Sequence, residues 1–344
     1  MSYPSYAEFN WRVSAKFGEA VSRGGYDVVH VFTPILPRYP VKIVEDCRKT
    51  PFILGPVNGG LPFPAGFDDI AKKEFNRFTF LRNAARFIPG YRRTYERADK
   101  VLAGSGATFR SLQKAFSRAG DRLELLHENG VQSEFFVDRE PRSDRTVRLL
   151  FVGRLVPYKC ADVVIQAMNL LSPEVRSRAT LTIVGDGPER EILERTAREL
   201  GLGGQVTFAG WVPQERTLEF YRQSDMFCFP SIREFGGAVV LEAMAAGLPC
   251  IVADHGGIAE YVSDGAGYRL ALDSREQLRC RLAARIEELA RNGELLASMS
   301  ARATERAREF TWDGKARRTV KIYETLIERK RRENSPQGAE YEST

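Results

Sequence analysis

Glu234 and Glu242 stand eight positions apart, with Gly236 and Gly237 between them. The apolar run Met226 to Phe229 before them has strand character. Val239 to Ala246 after them has helix-forming residues, closed by Gly247 and Pro249. A helix beginning near Gly237 or Ala238 leaves its first N–H groups unpaired at the positive end of its dipole. Small residues there let an anion come close. Glu234 would sit in the loop and Glu242 about one turn inside the helix. Two acceptors flanking a phosphate site suit the hydroxyls of a sugar or a ribose. The same residues also describe an ordinary strand-to-helix loop with two surface glutamates, and spacing alone does not separate the two readings.

The elements that must position these residues repeat one pattern. A second strand, Cys250 to Ala253, leads to the loop His255-Gly256-Gly257 and another helix start. Strand, glycine loop, helix, taken twice, is the pattern of a parallel α/β sheet. Upstream, strands are expected over 147–152, 180–184, 205–208 and 226–229, with helices over 160–171, 188–200 and 214–223 between them. That alternation predicts a doubly wound sheet. The N-terminal part begins with a helix over 5–23 ended by Gly24-Gly25, then the nearly continuous apolar strand Tyr26 to Phe32. A helix near 41–48, a strand over 51–54, the loop 55–60, a strand over 99–103 and a helix capped by Ser105 follow. The polar stretch Asp138 to Thr146 marks a domain boundary. The division read from the chain is 1–140, then 141–314, a basic helix over 315–332, and a polar tail, 333–344, expected to be disordered.

The segment from Glu234 to Glu242, continued as E-A-M-A-x-G-L-P, resembles the signature of retaining glycosyltransferases of family 4, which have the two-Rossmann GT-B architecture. Phe151-Val152-Gly153-Arg154-Leu155 with Lys159 is similar to that family's F-x-G-R-L-x3-K-G, with Cys160 where the glycine is usual. Asn129-Gly130-Val131 also looks like the family. The resemblance implies two Rossmann-like domains, a nucleoside-diphosphate sugar as donor, and transfer of a hexosyl group to an acceptor hydroxyl with retention. It implies that Glu234 contacts the donor sugar and Glu242 the ribose. Phe235, Gly236, Gly237 and Ala238 would hold the diphosphate through their amides, with Arg154 as a fork and Lys159 as a point charge. Gly185, at the turn Val184-Gly185-Asp186-Gly187-Pro188, and Val212 would line the same edge. The final helix would return onto the first domain.

The chain departs from the family in two places. Members open with a strand and a glycine-rich loop, whereas the first strand here corresponds to a later one. The N-terminal domain is therefore expected to be short of its opening units. Members also often carry H-x-H at that strand's end; here His30 keeps the first position and Phe32 stands at the second. His30 is a catalytic candidate at the less telling position, and a buried structural histidine is the competing reading. His255 is open between packing and chemistry. No D-x-D pair occurs, so no cofactor and no metal are expected, the two cations and the helix start serving the leaving diphosphate. The acceptor would enter near Asn58, Gly59 and Gly60.

Composition sets the remaining bounds. With 344 residues, 43% hydrophobic and 28% charged, the chain can bury two cores, and no apolar run approaches the about eighteen residues of a spanning helix. The N-terminus has no signal-peptide h-region. Five scattered cysteines without a C-x-x-C pair read as reduced thiols, so a cytoplasmic protein is expected. Between Lys72 and Lys100, nine basic residues face three acidic ones, formally the whole net charge of +6. Interleaved with aromatics, they read either as a peripheral surface for anionic membrane or as helices with solvated arginines. No nucleic-acid-binding module accompanies them. The expected role is in polysaccharide or glycolipid synthesis. A non-catalytic donor-binding scaffold and a nucleotide-sugar epimerase on the same fold are the alternatives. The absence of G-x-G-x-x-G after any strand argues against a nicotinamide oxidoreductase.

Overall fold

Apart from Arg148, Val147–Val152, Met226–Phe229 and Cys250–Ala253 are short runs of apolar residues, and a strand of that kind is stable only when both its faces are covered. In the computed structural model, which describes residues 3–32, 39–73, 88–139 and 144–335, all three lie inside one parallel sheet. The described chain forms two compact units. One comprises Met1–Gly60, Arg77–Glu128 and Asp313–Thr344, the other Leu61–Asn76 and Asn129–Trp312.

The first unit is built on four parallel strands in the order β1-β2-β3-β4: β1 (Val29–Val31), β2 (Phe52–Val57), β3 (Lys100–Ala103) and β4 (Leu123–Leu125). The strand expected over 26–32 is reduced to three residues, and β2 runs on through Gly55 and Pro56, where a loop was expected. The helix expected over 41–48 is a single tight turn, Lys42–Glu45. Ser105 caps the helix Gly106–Ala115 as expected, its hydroxyl accepting from Thr108 N–H. One face of the sheet packs against the long helix Trp312–Glu333 through Ile53, Leu102, Leu126, Ile322 and Leu326. Asp99 fastens the same helix: it accepts from Phe52 N–H at 2.8 Å and pairs with Arg329 at 2.8 Å and Lys330 at 3.2 Å.

The second unit holds six parallel strands in the order β10-β9-β8-β5-β6-β7. They are β5 (Val147–Val152), β6 (Ala179–Val184), β7 (Val206–Gly210), β8 (Met226–Phe229), β9 (Cys250–Ala253) and β10 (Gly267–Leu270). The order reverses between β5 and β8, which pair through Leu149 with Met226 and Leu150 with Phe227. Chain order runs outward from that point in both directions, the arrangement of a doubly wound nucleotide-binding sheet. The helices Ala161–Asn169, Arg190–Glu199, Gln214–Gln223 and Ala238–Ala245 fall where the apolar periodicity put them, within a few residues at each end. β10 and the helices Arg275–Arg291 and Gly293–Arg308 complete the unit. Among the described residues, no helix is long and apolar enough to cross a membrane.

The units do not follow the sequential division at 140 and 141. The change of unit falls at Asn129, and Leu61–Asn76, read as N-terminal, groups with the second unit. The reason lies in two side chains. Phe67 and Ile70 are fully buried in the second unit's core, and Asp69 faces Arg275 at 3.9 Å. Phe67→Ala is expected to cost about 3–5 kcal/mol, because a buried ring leaves both lost transfer energy and a cavity. Urea unfolding would show this as a lower midpoint at an unchanged slope. A loss below about 1 kcal/mol would mean that the segment is not seated in that core.

Candidate functional site

A parallel sheet delivers all its strand ends to one edge, and the crevice where strand order reverses is where such sheets bind ligands. Here that crevice lies beyond β5 and β8. The loop after β5 carries Arg154 and Lys159, and the loop after β8 carries Ser231 to Ala238. Lys159 and Glu234 form an ion pair across the reversal point, with 13% and 12% of their side chains exposed. Ser231 donates to the Glu234 carboxylate at 3.2 Å. The Lys159 ammonium also lies 4.8 Å from the centre of the Phe229 ring. Arg154 is exposed and donates to the Tyr158 hydroxyl at 2.9 Å.

Gly237 is the N-cap of the helix Ala238–Ala245, with φ 61°. A side chain there would be strained by the backbone, and its Cβ would come 2.4 Å from Ile258. The bare turn leaves the amides of Gly237 and Ala238 open, and Asn129 uses them. With its amide oriented to satisfy its neighbours, Asn129 Oδ1 accepts from Gly237 N–H at 3.2 Å and Ala238 N–H at 3.3 Å. One oxygen at hydrogen-bond distance from two adjacent helix-start amides is the arrangement an anion would use. Gly185, with φ 132°, brings the loop after β6 to the same edge; a Cβ there would meet the Gly153 carbonyl oxygen at 2.0 Å. Phe235, Ala238 and Val212 are half-buried and Gly236 is buried.

Glu242 departs from the surface reading. It is 5% exposed, and both carboxyl oxygens are engaged: Gln214 donates to one at 3.0 Å and the Tyr221 hydroxyl to the other at 3.0 Å. Burial raises its pKa above the ordinary carboxylate value, and the hydrogen bonds from Tyr221 and Gln214 oppose that rise. Burial likewise pushes the Tyr221 phenol well up. The two glutamates are thus not a pair of solvated side chains.

Cys160 stands in left-handed conformation, φ 56° and ψ 38°, at the start of the helix Ala161–Asn169. That conformation explains why glycine suits the position, since a Cβ costs about 1–2 kcal/mol there. The thiol is fully buried, and burial drives its pKa far up.

The family model described as glycosyl transferases group 1 matches residues 132–306. This chain belongs to that family. The match covers both loops of the site. Among curated relatives, the D-inositol 3-phosphate glycosyltransferase of Streptomyces scabiei is 30% identical over 267 residues, which are 72% of this chain and 58% of the relative. That of a Nocardioides species is 32% identical over 266 residues, 70% of this chain and 56% of the relative. The chain thus spans less than two thirds of the length of these relatives. Two solved structures share the GT-B fold. HepE of Anabaena in complex with UDP aligns with TM-score 0.64 at 19% identity, over 91% of this chain and 82% of that one. A glycosyltransferase from Rickettsia africae aligns with TM-score 0.66 at 16% identity, over 95% and 82%.

For this group 1 member, the second unit gathers Arg154, Lys159, Gly185, Val212, Glu234 to Ala238 and Glu242 at or beneath one sheet edge. His30, Asn58, Gly59 and Gly60 belong to the first unit. Both ring nitrogens of His30 are occupied, one by the Tyr323 hydroxyl at 2.6 Å and the other by the Gly55 carbonyl at 2.7 Å. Burial lowers its pKa, the behaviour of a structural histidine. Asn58 donates to Glu128 and accepts from Thr108 at 3.3 Å. His255 meets the Pro62 carbonyl at 2.9 Å. Among the described residues, no cluster of three or more His, Cys, Asp or Glu could hold a metal ion. Sequence reasoning gave no role to Asn129, Gln214 or Tyr221. An N-G-V match marked the first, and nothing local marked the other two.

The burial of Glu242 has a measurable sign. Its folded-state pKa lies above the usual 4.5, so the folded protein holds that proton more tightly than the unfolded chain does. The stability this group contributes is fully present below pH 4.5 and is lost as pH rises through the raised value. Glu242→Gln cannot ionise. Its Tm relative to the parent should therefore climb between about pH 4 and about pH 7. A flat difference across that range would mean that the carboxyl titrates alike in both states.

Proposed function

We propose that this chain transfers a hexosyl group from a nucleoside-diphosphate sugar to an acceptor hydroxyl, with retention and without a bound metal. The observation that carries the reading is the Lys159–Glu234 pair beside the helix-start amides of Gly237 and Ala238, which share the one Asn129 oxygen, at the strand-reversal point. Glycosyl transfer is also the named activity of the curated relatives. In this reading the diphosphate oxygens take the place of Asn129 Oδ1 on the helix start. Lys159 and Arg154 supply positive charge against them. The transfer breaks the bond between the anomeric carbon and the diphosphate oxygen and forms one to the acceptor oxygen, whose proton passes to the departing diphosphate. Negative charge grows on the departing diphosphate, which is where preorganised cations and amides lower the barrier.

Glu234, held by Lys159 and Ser231, orients the sugar hydroxyls. Glu242 receives the ribose. A carboxylate has about four lone-pair sites, so it can accept from ribose hydroxyls without releasing Tyr221 or Gln214. Asn58, Gly59 and Gly60 serve the acceptor. Polysaccharide and glycolipid synthesis are the settings that fit such a transfer.

A peripheral contact with anionic membrane through the basic stretch belongs to the same proposal. Residues 74–87 of that stretch lie outside the described residues. Beside them, Arg92, Arg93 and Arg97 are exposed on the helix Tyr91–Arg97. A groove of about 800 Å³ joins Arg92 and Arg93 to Ile88, Lys42 and Trp11, and Trp11 is 61% exposed. A solvent-facing tryptophan beside cations suits the headgroup layer. Glu45 offsets part of that charge, at 2.9 Å from Arg93.

Thermal unfolding with UDP, GDP and ADP tests the donor site. A nucleotide at about a hundred times its Kd should add about 2.7 kcal/mol to the folded state, and Arg154→Ala should shrink that gain. No shift with any of the three would sink the donor reading. For the membrane contact, sedimentation with phosphatidylglycerol vesicles should carry the protein down at low salt. Pure phosphatidylcholine should not, and Arg92→Glu with Arg97→Glu should weaken the effect. Equal binding to both vesicles, insensitive to salt, would rule the contact out.

A further inference from the structure

The residue before Glu234 is an arginine with no acidic partner among the described residues. Lys159 and Ser231 take the Glu234 carboxylate. The Arg233 guanidinium goes elsewhere, lying over the Phe63 ring with Cζ 4.9 Å from its centroid. Its Nε is buried and has no hydrogen-bond partner. No carboxylate among the described residues pairs with it. A buried Nε left without an acceptor costs free energy that an apolar side chain would avoid. Stacking on an aromatic face does not satisfy a guanidinium. It fixes the plane and leaves the N–H fork along the edge, preset for a planar or tetrahedral oxyanion.

The neighbours confine where that fork works. Phe63 belongs to the segment whose Phe67 is fully buried in the second unit's core, so the stacking ring is anchored. The adjacent Pro62 carbonyl is bound by His255, from the loop after β9. Gly257 N–H in turn donates to the Glu234 carbonyl at 2.9 Å. Arg233 is therefore held between the loop that carries Glu234 and the segment that closes beside it, next to the sugar position of the proposed transfer.

We infer that Arg233 binds an oxyanion, a carboxylate or a phosphate group, carried by one of the sugars that enter this site. The inference rests on the donor-site reading above and adds a substrate class to it: a charged sugar in place of a neutral one. Two sources share the chemistry, a uronate on the donor sugar and a phosphate on the acceptor.

The test compares charged and neutral probes on the full chain by calorimetry, each with and without the nucleotide that stabilises it. UDP-glucuronate against UDP-glucose reports the donor source. Inositol 1-phosphate against inositol reports the acceptor source. In one of the two pairs the parent should prefer the charged member by roughly tenfold or more, the effect of one bidentate charge-assisted contact. Arg233→Gln should bring that ratio close to one, and Arg233→Lys should restore part of it. Arg233→Met keeps the packing on Phe63 and removes the unpaired charge, so its Tm should equal or exceed the parent's. A purely structural arginine would lower Tm in that variant and leave the ratios alone.

A parent that prefers neither charged probe overturns the inference, as does a preference that survives Arg233→Gln. Failure of the donor reading looks different: the free nucleotide then gives no signal, while the inositol pair without nucleotide still decides whether Arg233 selects an anion.

Discussion

An ammonium group with an eighth of its side chain exposed needs a carboxylate against it, and for Lys159 that carboxylate is Glu234. The two come from loops far apart in the chain but after neighbouring strands. Only the β5–β8 pairing places those loops side by side. The register of that pairing is set by apolar residues buried on both faces of the sheet, Leu149, Leu150, Met226 and Phe227. The ion pair is thus a product of the core beneath it. Its loss would leave one charge half-buried without a partner, which is why such a pair fixes geometry more than it adds stability.

The same economy governs the helix start. Gly237 can take its left-handed turn because it has no Cβ, and that turn exposes two amides at the positive end of a helix dipole. Buried amides must find an acceptor, and Asn129 supplies one. Four residues into that helix, Glu242 is covered, and it stays because Tyr221 and Gln214 donate to its two oxygens. Lys159, the two helix-start amides and Glu242 are each answered from within the second unit. An incoming ligand therefore exchanges one set of acceptors for another and does not fill a hole lined by bare groups.

The amino-acid order made part of this visible. Glu234 and Glu242 stood out because eight positions, two glycines and a strand before them leave few alternatives to a strand-to-helix turn. Lys159 stood out because it closely follows a strand whose end is marked by Gly153 and Arg154. β8 and β9 were legible because burial on both faces writes itself as an unbroken apolar run. Other features carry no local mark. Phe67 and Ile70 stand out by no motif, and nothing in their spacing says which core will take them. Asn129 precedes the amides it caps by most of a domain. Tyr221 looked like one aromatic on an amphipathic helix, since a hydroxyl's partner depends on where another helix lies. Gly55 and Pro56 read as a loop, yet the β2 ladder runs through them because β3 pairs on both sides.

Charge accounting gives these observations their direction. Where the loop after β8 meets its neighbours, Lys159 is answered by Glu234 and the helix-start dipole by the Asn129 oxygen. Arg233 has no acidic partner among the described residues, and, like Lys159, it lies against an aromatic ring. A structure that pairs its other polar groups here and still keeps an unpaired guanidinium retains a cost that Met or Leu at the same place would remove. Packing on Phe63 accounts for the stem of the side chain but not for its charge. Among the described residues nothing answers that charge. Since its chain neighbour Glu234 is already bound by Lys159 and Ser231, the inferred partner is an anion that arrives with the substrate.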